Sequence, residues 1–299
     1  MSDDTAYQAT PQAPPTCPRH PDRVSYVRCQ RCNRPACPDC QRPAAVGMQC
    51  VDCVRQSSKA DRPRRTPFGG RVQQTPVVTY AIIAICVVVF LAQTVRPGLT
   101  EEILFDPGPA REEPWRFLTA AFAHGGIAHI LFNMLALWMV GGQYLERLLG
   151  SVRYAVLYLV SAIGGSVAYM LFQSPRPIPY APPYELFWGA GTVGASGAVF
   201  GLFGALLVLN RKLGLSSAGM YGTLVINAVI GFVFPNIAWQ AHLGGFLTGA
   251  ACAAVIAGLS SPARRRWQLP ALAGVLAVIV AVALWKYSLY PAPLATPFG

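Results

Sequence analysis

Charge is what this chain has least of. Only 12% of its 299 residues are Asp, Glu, Lys or Arg, against 53% of apolar type, about half the charged share of a soluble domain. Acids are scarcest, 13 against 24 Lys and Arg. Past the first long apolar stretch they fall in connecting segments, except Glu146 at the inner end of one. That shortage excludes an ordinary soluble globular protein. It also argues against a transporter, which would want intramembrane acids or a charged relay. The net charge is +11, but the basic residues sit in short clusters beside apolar segments, where bilayer topology places them, so no nucleic-acid partner is expected. Nothing apolar precedes Val77, so no secretory signal peptide is expected and the first membrane helix acts as its own targeting signal. No internal repeat is visible.

What the chain has instead is seven apolar stretches, at about 77–95, 127–145, 154–172, 193–209, 217–234, 239–259 and 270–287. Each is near the length that crosses a hydrocarbon core of ~30 Å. In lipid every backbone amide needs an internal partner, so the spacing predicts helices and an all-α polytopic membrane protein. Arg62, Arg64, Arg65, Arg71, Arg147, Arg153, Arg211, Lys212, Arg264, Arg265 and Arg266 fall on one side, and most acids on the other. The positive-inside rule then gives a multi-pass protein of the cell membrane, N-terminus cytosolic and C-terminus extracytoplasmic, with the bilayer as its constant partner. Ahead of the spans, residues 1–16 are polar and Pro-rich and predicted to be disordered. Residues 17–53 form a Cys-rich module, and 54–75 read as a basic linker, a solvated tether or a strip resting on anionic headgroups.

Polar side chains inside a bilayer are costly, and functional candidates by default. His124, His129 and Asn133 open the second span, Ser196 lies near the start of the fourth and His242 near the start of the sixth. With the orientation above, all five share one depth below the outer surface. His129 and Asn133 are four residues apart and share a helix face; both can donate hydrogen bonds. Ser196 sits in Gly194-Ala195-Ser196-Gly197 at a helix N-terminus, where free N–H groups favour an oxyanion. Gly201 and Gly204 in the fourth span, and Gly244, Gly245 and Gly249 in the sixth, allow the close approach that a Ser–His hydrogen bond needs. No third acid is available, so the chemistry would use a dyad. Taken singly, a membrane Ser usually packs helices and a lone His is usually structural; the helix-two set alone fits an ion path. The conjunction favours nucleophilic catalysis.

Together these residues resemble the rhomboid family of intramembrane serine proteases. The motifs are His124-Gly-Gly-Ile-Ala-His129-Ile-Leu-Phe-Asn133, Gly194-Ala-Ser196-Gly197 and Ala241-His242-Leu-Gly-Gly245, joined by Trp115-Arg116, Gly141-Gly142 and Glu146-Arg147. The resemblance covers residues 76–260, a six-helix core, with 261–299 adding a seventh transmembrane helix and a tail. It implies Ser196 as nucleophile and His242 as general base. His129 and Asn133, with the Ser196 amide, would form the oxyanion site, and His124 would support it. Trp115, Arg116, Gly194, Gly197, Glu146 and Arg147 would be structural. Phe200 falls where some members carry a Tyr against the catalytic His. The substrates implied are transmembrane proteins, cut in or near their membrane segments without a catalytic cofactor. A catalytically silent relative would lack Ser or His at the dyad positions, and both are present.

Seven of the nine Cys lie in residues 17–53, as Cys17-x2-His20, Cys29-x2-Cys32, Cys37-x2-Cys40 and Cys50-x2-Cys53. Four ligand pairs make two structural Zn2+ sites; the odd thiol count and cytosolic placement argue against disulfides. The spacing resembles B-box-type zinc fingers, which implies Cys17, His20, Cys37 and Cys40 for one ion and Cys29, Cys32, Cys50 and Cys53 for the other; two sequential sites are the alternative. Docking of a cytosolic protein partner, dimerisation, sensing, or a plain structural appendage all fit such a module.

Overall fold

A computed structural model of the chain describes residues 13–60, 65–177, 186–188, 191–219, 221–222, 225–226, 229 and 237–290. The chain divides into two compact units, 1–64 and 65–299. The disorder expected over 1–16 falls, for 1–12, outside the described residues; Thr16 already belongs to a strand.

In the first unit, β1 (Thr16–Cys17) pairs antiparallel with β2 (His20–Val24), and β3 (Gln41–Pro43) with β4 (Met48–Cys50). Helix α1 (Val51–Ala60) follows β4 directly, carries Cys53 and runs on past the predicted module end at 53. The buried apolar cluster of this unit consists of Cys17, Cys29, Ala36, Cys37, Cys40, Cys50 and Cys53. A cluster of cysteines and one alanine is too small to hold such a segment folded by burial alone.

Among its described residues the second unit has six helices long and apolar enough to cross a membrane: α2 (Val77–Val95), α3 (Ile127–Leu149), α4 (Ser151–Phe172), α5 (Ser196–Leu213), α6 (Trp239–Gly258) and α7 (Gln268–Ser288). They match six of the seven predicted spans to within a few residues; the other, at 217–234, lies mostly outside the described residues. Helix α4 is central, with 61% of its apolar window buried against 17% for α2. The reason lies in small residues. A Cβ on Gly244 would strike Ala168 and the Gly164 carbonyl of α4. One on Gly249 would strike the backbone of Gly201 in α5. Glycine thus lets α4, α5 and α6 touch backbone to backbone, which fixes their relative depth.

Glu146 is fully buried at the end of α3. Its carboxylate accepts the backbone N–H of Val78 and Thr79, at 2.9 and 2.8 Å, and the Thr79 hydroxyl at 2.8 Å. It therefore satisfies the first-turn amides of α2, which have no intrahelical acceptor. Arg147 is exposed. Gly150, at φ 77°, makes the reversal between α3 and α4, a conformation favourable only to glycine.

Residues 65–71, within the stretch read as a basic linker, fold into a tight turn closed by Thr66 N–H to Gly70 O at 2.9 Å. Phe68 at its tip is 2% exposed and joins the helix core, and its carbonyl accepts Gln268 Nε2 at 3.2 Å. At the other end of the bundle, the segment between α2 and α3 is organised by Arg116. Its buried guanidinium donates to the carbonyls of Glu101 and Leu104, at 2.6 and 3.1 Å, and pairs with Glu113. Trp115 beside it is 54% exposed, so Arg116 supplies the anchoring of the Trp115-Arg116 motif.

Candidate active site

Ser196 is the first residue of α5, and His242 lies one turn into α6. The Ser196 Oγ stands 2.9 Å from His242 Nε2, hydrogen-bond distance for a hydroxyl that gives its proton to an imidazole. The approach is set below the pair, where Gly245 leaves room for the Gly197 backbone and Gly197 itself lies against the Ala241 carbonyl. Phe200, one turn beyond Ser196, stacks on the His242 ring with centroids 4.3 Å apart and planes 6° from parallel. Among the described residues no carboxylate bonds to His242. The stacked Phe200 face restrains the imidazole where a triad would use an acid.

The chain reaches Ser196 through a fixed entry. Phe105 and Thr192 exchange backbone hydrogen bonds at 2.9 and 2.8 Å, and Gly194 N–H donates to Ala120 O at 2.9 Å. Gly194 adopts φ 130°, and a Cβ there would collide with the His129 ring, so glycine is required on both counts. His129 is thereby brought against the start of α5. Its Nδ1 accepts the Gly125 N–H at 3.3 Å. A neutral imidazole that accepts at one nitrogen carries its proton on the other, so Nε2–H is the donor facing Gly194. Asn133 Nδ2 donates to the His129 carbonyl at 2.9 Å, leaving a second amide hydrogen for another acceptor. As the first helical residue, Ser196 has a backbone N–H with no intrahelical partner. His124 is buried, its ring 5.2 Å from that of His129 in an edge-on arrangement.

Sequence reasoning passed over Gln93. From the end of α2 its Oε1 accepts the His124 N–H at 3.0 Å, while Nε2 donates to the His124 carbonyl at 3.3 Å and to Thr100 Oγ1 at 2.8 Å. One amide side chain thus clamps the backbone just ahead of the His129 helix. The signal was available: a Gln in an otherwise apolar span is as conspicuous as the histidines. The same face opens on a cleft of about 950 Å³. Ser196, His242, His129 and Asn133 line it beside apolar Phe132 and Met139. The cleft thus sets a few polar groups against a largely apolar wall, the usual make-up of a ligand site.

In the first unit, the ligand atoms of Cys17, His20, Cys37 and Cys40 gather within 4.8 Å of one another, and those of Cys29, Cys32, Cys50 and Cys53 do the same. This is the interleaved grouping, not the sequential one. Tetrahedral zinc with Zn–S bonds of ~2.3 Å places sulfurs roughly 3.8 Å apart. The Cys32 and Cys50 sulfurs are 3.8 Å apart, and His20 Nδ1 lies 3.2 and 3.4 Å from Cys37 and Cys40 Sγ. The backbone N–H of Cys37 pulls the Cys17 thiol down to about 6, while burial pushes the Cys40 thiol of the same group up to about 11, so without a cation only part of the set favours the thiolate that a metal requires. Donor set and spacing both fit zinc.

A rhomboid domain family model matches residues 111–259. Rhomboid protease GluP of Bacillus subtilis is 35% identical over 244 residues, covering 78% of this chain and 44% of that protein. YdcA of the same organism, a rhomboid relative, is 34% identical over 203 residues, 63% of this chain and 94% of its own length. RHOMBOID-like protein 4 of Arabidopsis thaliana is 36% identical over 144 residues, 46% of this chain and 33% of that protein. The chain thus spans less than half of GluP and a third of RHOMBOID-like protein 4.

Proposed function

The chain belongs to the rhomboid family, and from that premise we propose that it is an intramembrane serine endopeptidase cutting other membrane proteins in or near their transmembrane segments. The observation that carries this is the 2.9 Å contact between Ser196 Oγ and His242 Nε2 at the wall of the cleft. In the reaction, Ser196 Oγ attacks the scissile carbonyl while His242 Nε2 takes its proton. The carbonyl oxygen becomes an oxyanion, received by the Ser196 N–H, the His129 Nε2–H and the free Asn133 amide hydrogen. His242 then returns the proton to the leaving amine, and a water molecule activated by the same imidazole releases the acyl group. His124 and Gln93 hold the backbone that presents His129. Because a helical substrate has its carbonyls engaged within the helix, the segment must unwind at the cut, which favours small or helix-breaking residues there. The positive-inside distribution supports a cytosolic N-terminus, an extracytoplasmic C-terminus and a reaction centre toward the outer face.

The N-terminal unit would hold two structural zinc ions, one on Cys17, His20, Cys37 and Cys40 and the other on Cys29, Cys32, Cys50 and Cys53. When bound, zinc supplies folding energy to a unit whose own core is a cluster of cysteines. On the cytosolic side the folded module offers a surface to a protein partner.

The test is cleavage of a reporter transmembrane segment by the purified chain in detergent, beside Ser196→Ala and His242→Ala. Both variants are expected to lose about 10³-fold or more of activity while melting like the parent. Equal cleavage by parent and Ser196→Ala would remove the nucleophile.

A further inference from the structure

Three arginines gather at the end of the bundle opposite Ser196. Arg153, in the first turn of α4, donates Nε–H to Gln268 Oε1 at 2.5 Å. Arg265, just before α7, donates to the carbonyls of Ser260 and Pro67 at 2.6 and 3.1 Å. Arg65 donates to Gly69 O at 3.0 Å. All three are tied to one small feature, the Phe68 turn and the Gln268 that holds it. Gly69, at φ 91°, lies against the Arg265 stem where a Cβ would collide, so turn and guanidinium are built around each other.

No acid balances them among the described residues. The charges that act on Arg153 are those of Arg65 and Arg265. The ion pairs of the membrane unit, Arg96–Glu102 and Arg116–Glu113, lie at the other end of the helices. Glu146, the carboxylate near this end among the described residues, is taken up by the amides of α2, the Thr79 hydroxyl and Ser151. Basic residues that only set topology need no fixed geometry, and Arg264 and Arg266 stand exposed beside this cluster. Arg153 and Arg265 are half-buried. Each guanidinium has five N–H donors and, among the described residues, spends only one or two of them, on neutral acceptors. Holding like charges together is unfavourable unless an anion lies between them.

We propose that Arg65, Arg153 and Arg265 form a binding site for a phosphate group. Guanidinium forks match phosphate oxygens in pairs, and a site at the ends of membrane spans meets phosphate in two forms, the headgroup of an anionic phospholipid and the free ion. The test uses the full chain in detergent, with phosphatidylglycerol, phosphatidylcholine or inorganic phosphate added, read by native mass spectrometry and thermal melting. The parent is expected to retain phosphatidylglycerol in preference to phosphatidylcholine and to melt higher with it. The variant R65Q/R153Q/R265Q should lose that retention by about tenfold or more, while R264Q/R266Q keeps it. A melting shift from inorganic phosphate equal to that from phosphatidylglycerol, lost in the triple variant, assigns the site to the free ion. Equal retention by parent and triple variant, equal loss in R264Q/R266Q, or no response to either phosphate source overturns the proposal. Should the triple variant misfold, R65Q at the exposed rim carries the same comparison, and unchanged retention there is equally fatal.

Discussion

Replacing Gly245 with Ala puts one methyl group into the seam between α6 and α5. The new Cβ would lie 3.2 Å from the Gly197 Cα and deeper still into the Gly197 carbonyl. Carbon atoms rest at ~3.5–4.0 Å, so the helices must part by about 1 Å or more. Gly197 adjoins Ser196 and Gly245 lies one turn past His242, so the opening is delivered directly to the reacting pair. A 2.9 Å contact lengthened by about that much is no longer a hydrogen bond. Overpacking of this kind costs ~1–3 kcal/mol of stability, and a displacement of ~1 Å at a reaction centre costs about 10²-fold in rate. The assay is kcat/KM on a reporter transmembrane segment, with a thermal melt on the same sample. Gly258→Ala is the control: it lies in the same helix with nothing within 4 Å of its Cβ, and is expected to be neutral or stabilising by up to ~1 kcal/mol. Parental turnover and melting in Gly245→Ala would refute the claim that backbone contact sets the Ser–His distance.

Gln93→Ala leaves the His124 N–H and carbonyl without their clamp, a loss of ~1–3 kcal/mol. It should appear as about a tenfold fall in kcat with KM nearly unchanged; an unaltered kcat would reduce Gln93 to a packing residue. Phe200→Ala removes the face that restrains His242, worth ~0.5–1.5 kcal/mol, so a several-fold fall in kcat is expected and Phe200→Tyr should retain activity. Elemental analysis of the full chain should find about two zinc per molecule. Cys50→Ser should lower that to about one, and an unchanged zinc content would exclude Cys50 as a ligand.

The membrane helices were legible because lipid leaves the backbone little choice: an apolar run of spanning length must satisfy its own amides. The meeting of Ser196 with His242 was legible for a related reason, since both stand on glycine-rich faces and their cost in a bilayer demands explanation. The four Cys/His pairs were readable from spacing, although their interleaved grouping followed only from resemblance until the structure gathered Cys17, His20, Cys37 and Cys40 apart from Cys29, Cys32, Cys50 and Cys53. Long-range partnerships were not readable. The acceptor and donor for Gln93 lie 31 residues away, and no local periodicity announces that an amide will close on a distant backbone. The linker at 54–75 reads from its arginines as a solvated tether or a strip on anionic headgroups, and the burial of its 65–71 turn depends on a single Phe68 meeting the ends of helices far along the chain. Trp115 shows the converse: a motif residue whose neighbour Arg116 makes the anchoring contacts.

The carboxylate of Glu146 has a consequence for how the molecule is made. The amides at the start of α2 are met by a side chain synthesised 68 residues later. A ribosome delivering this chain therefore releases its opening helix with bare donors at one end, and those donors stay with water or lipid headgroups until the far end of α3 arrives. The first span reaches its final state only as part of a pair, and a substitution at position 146 would register as a defect in insertion and assembly before it registered in any reaction the finished protein performs.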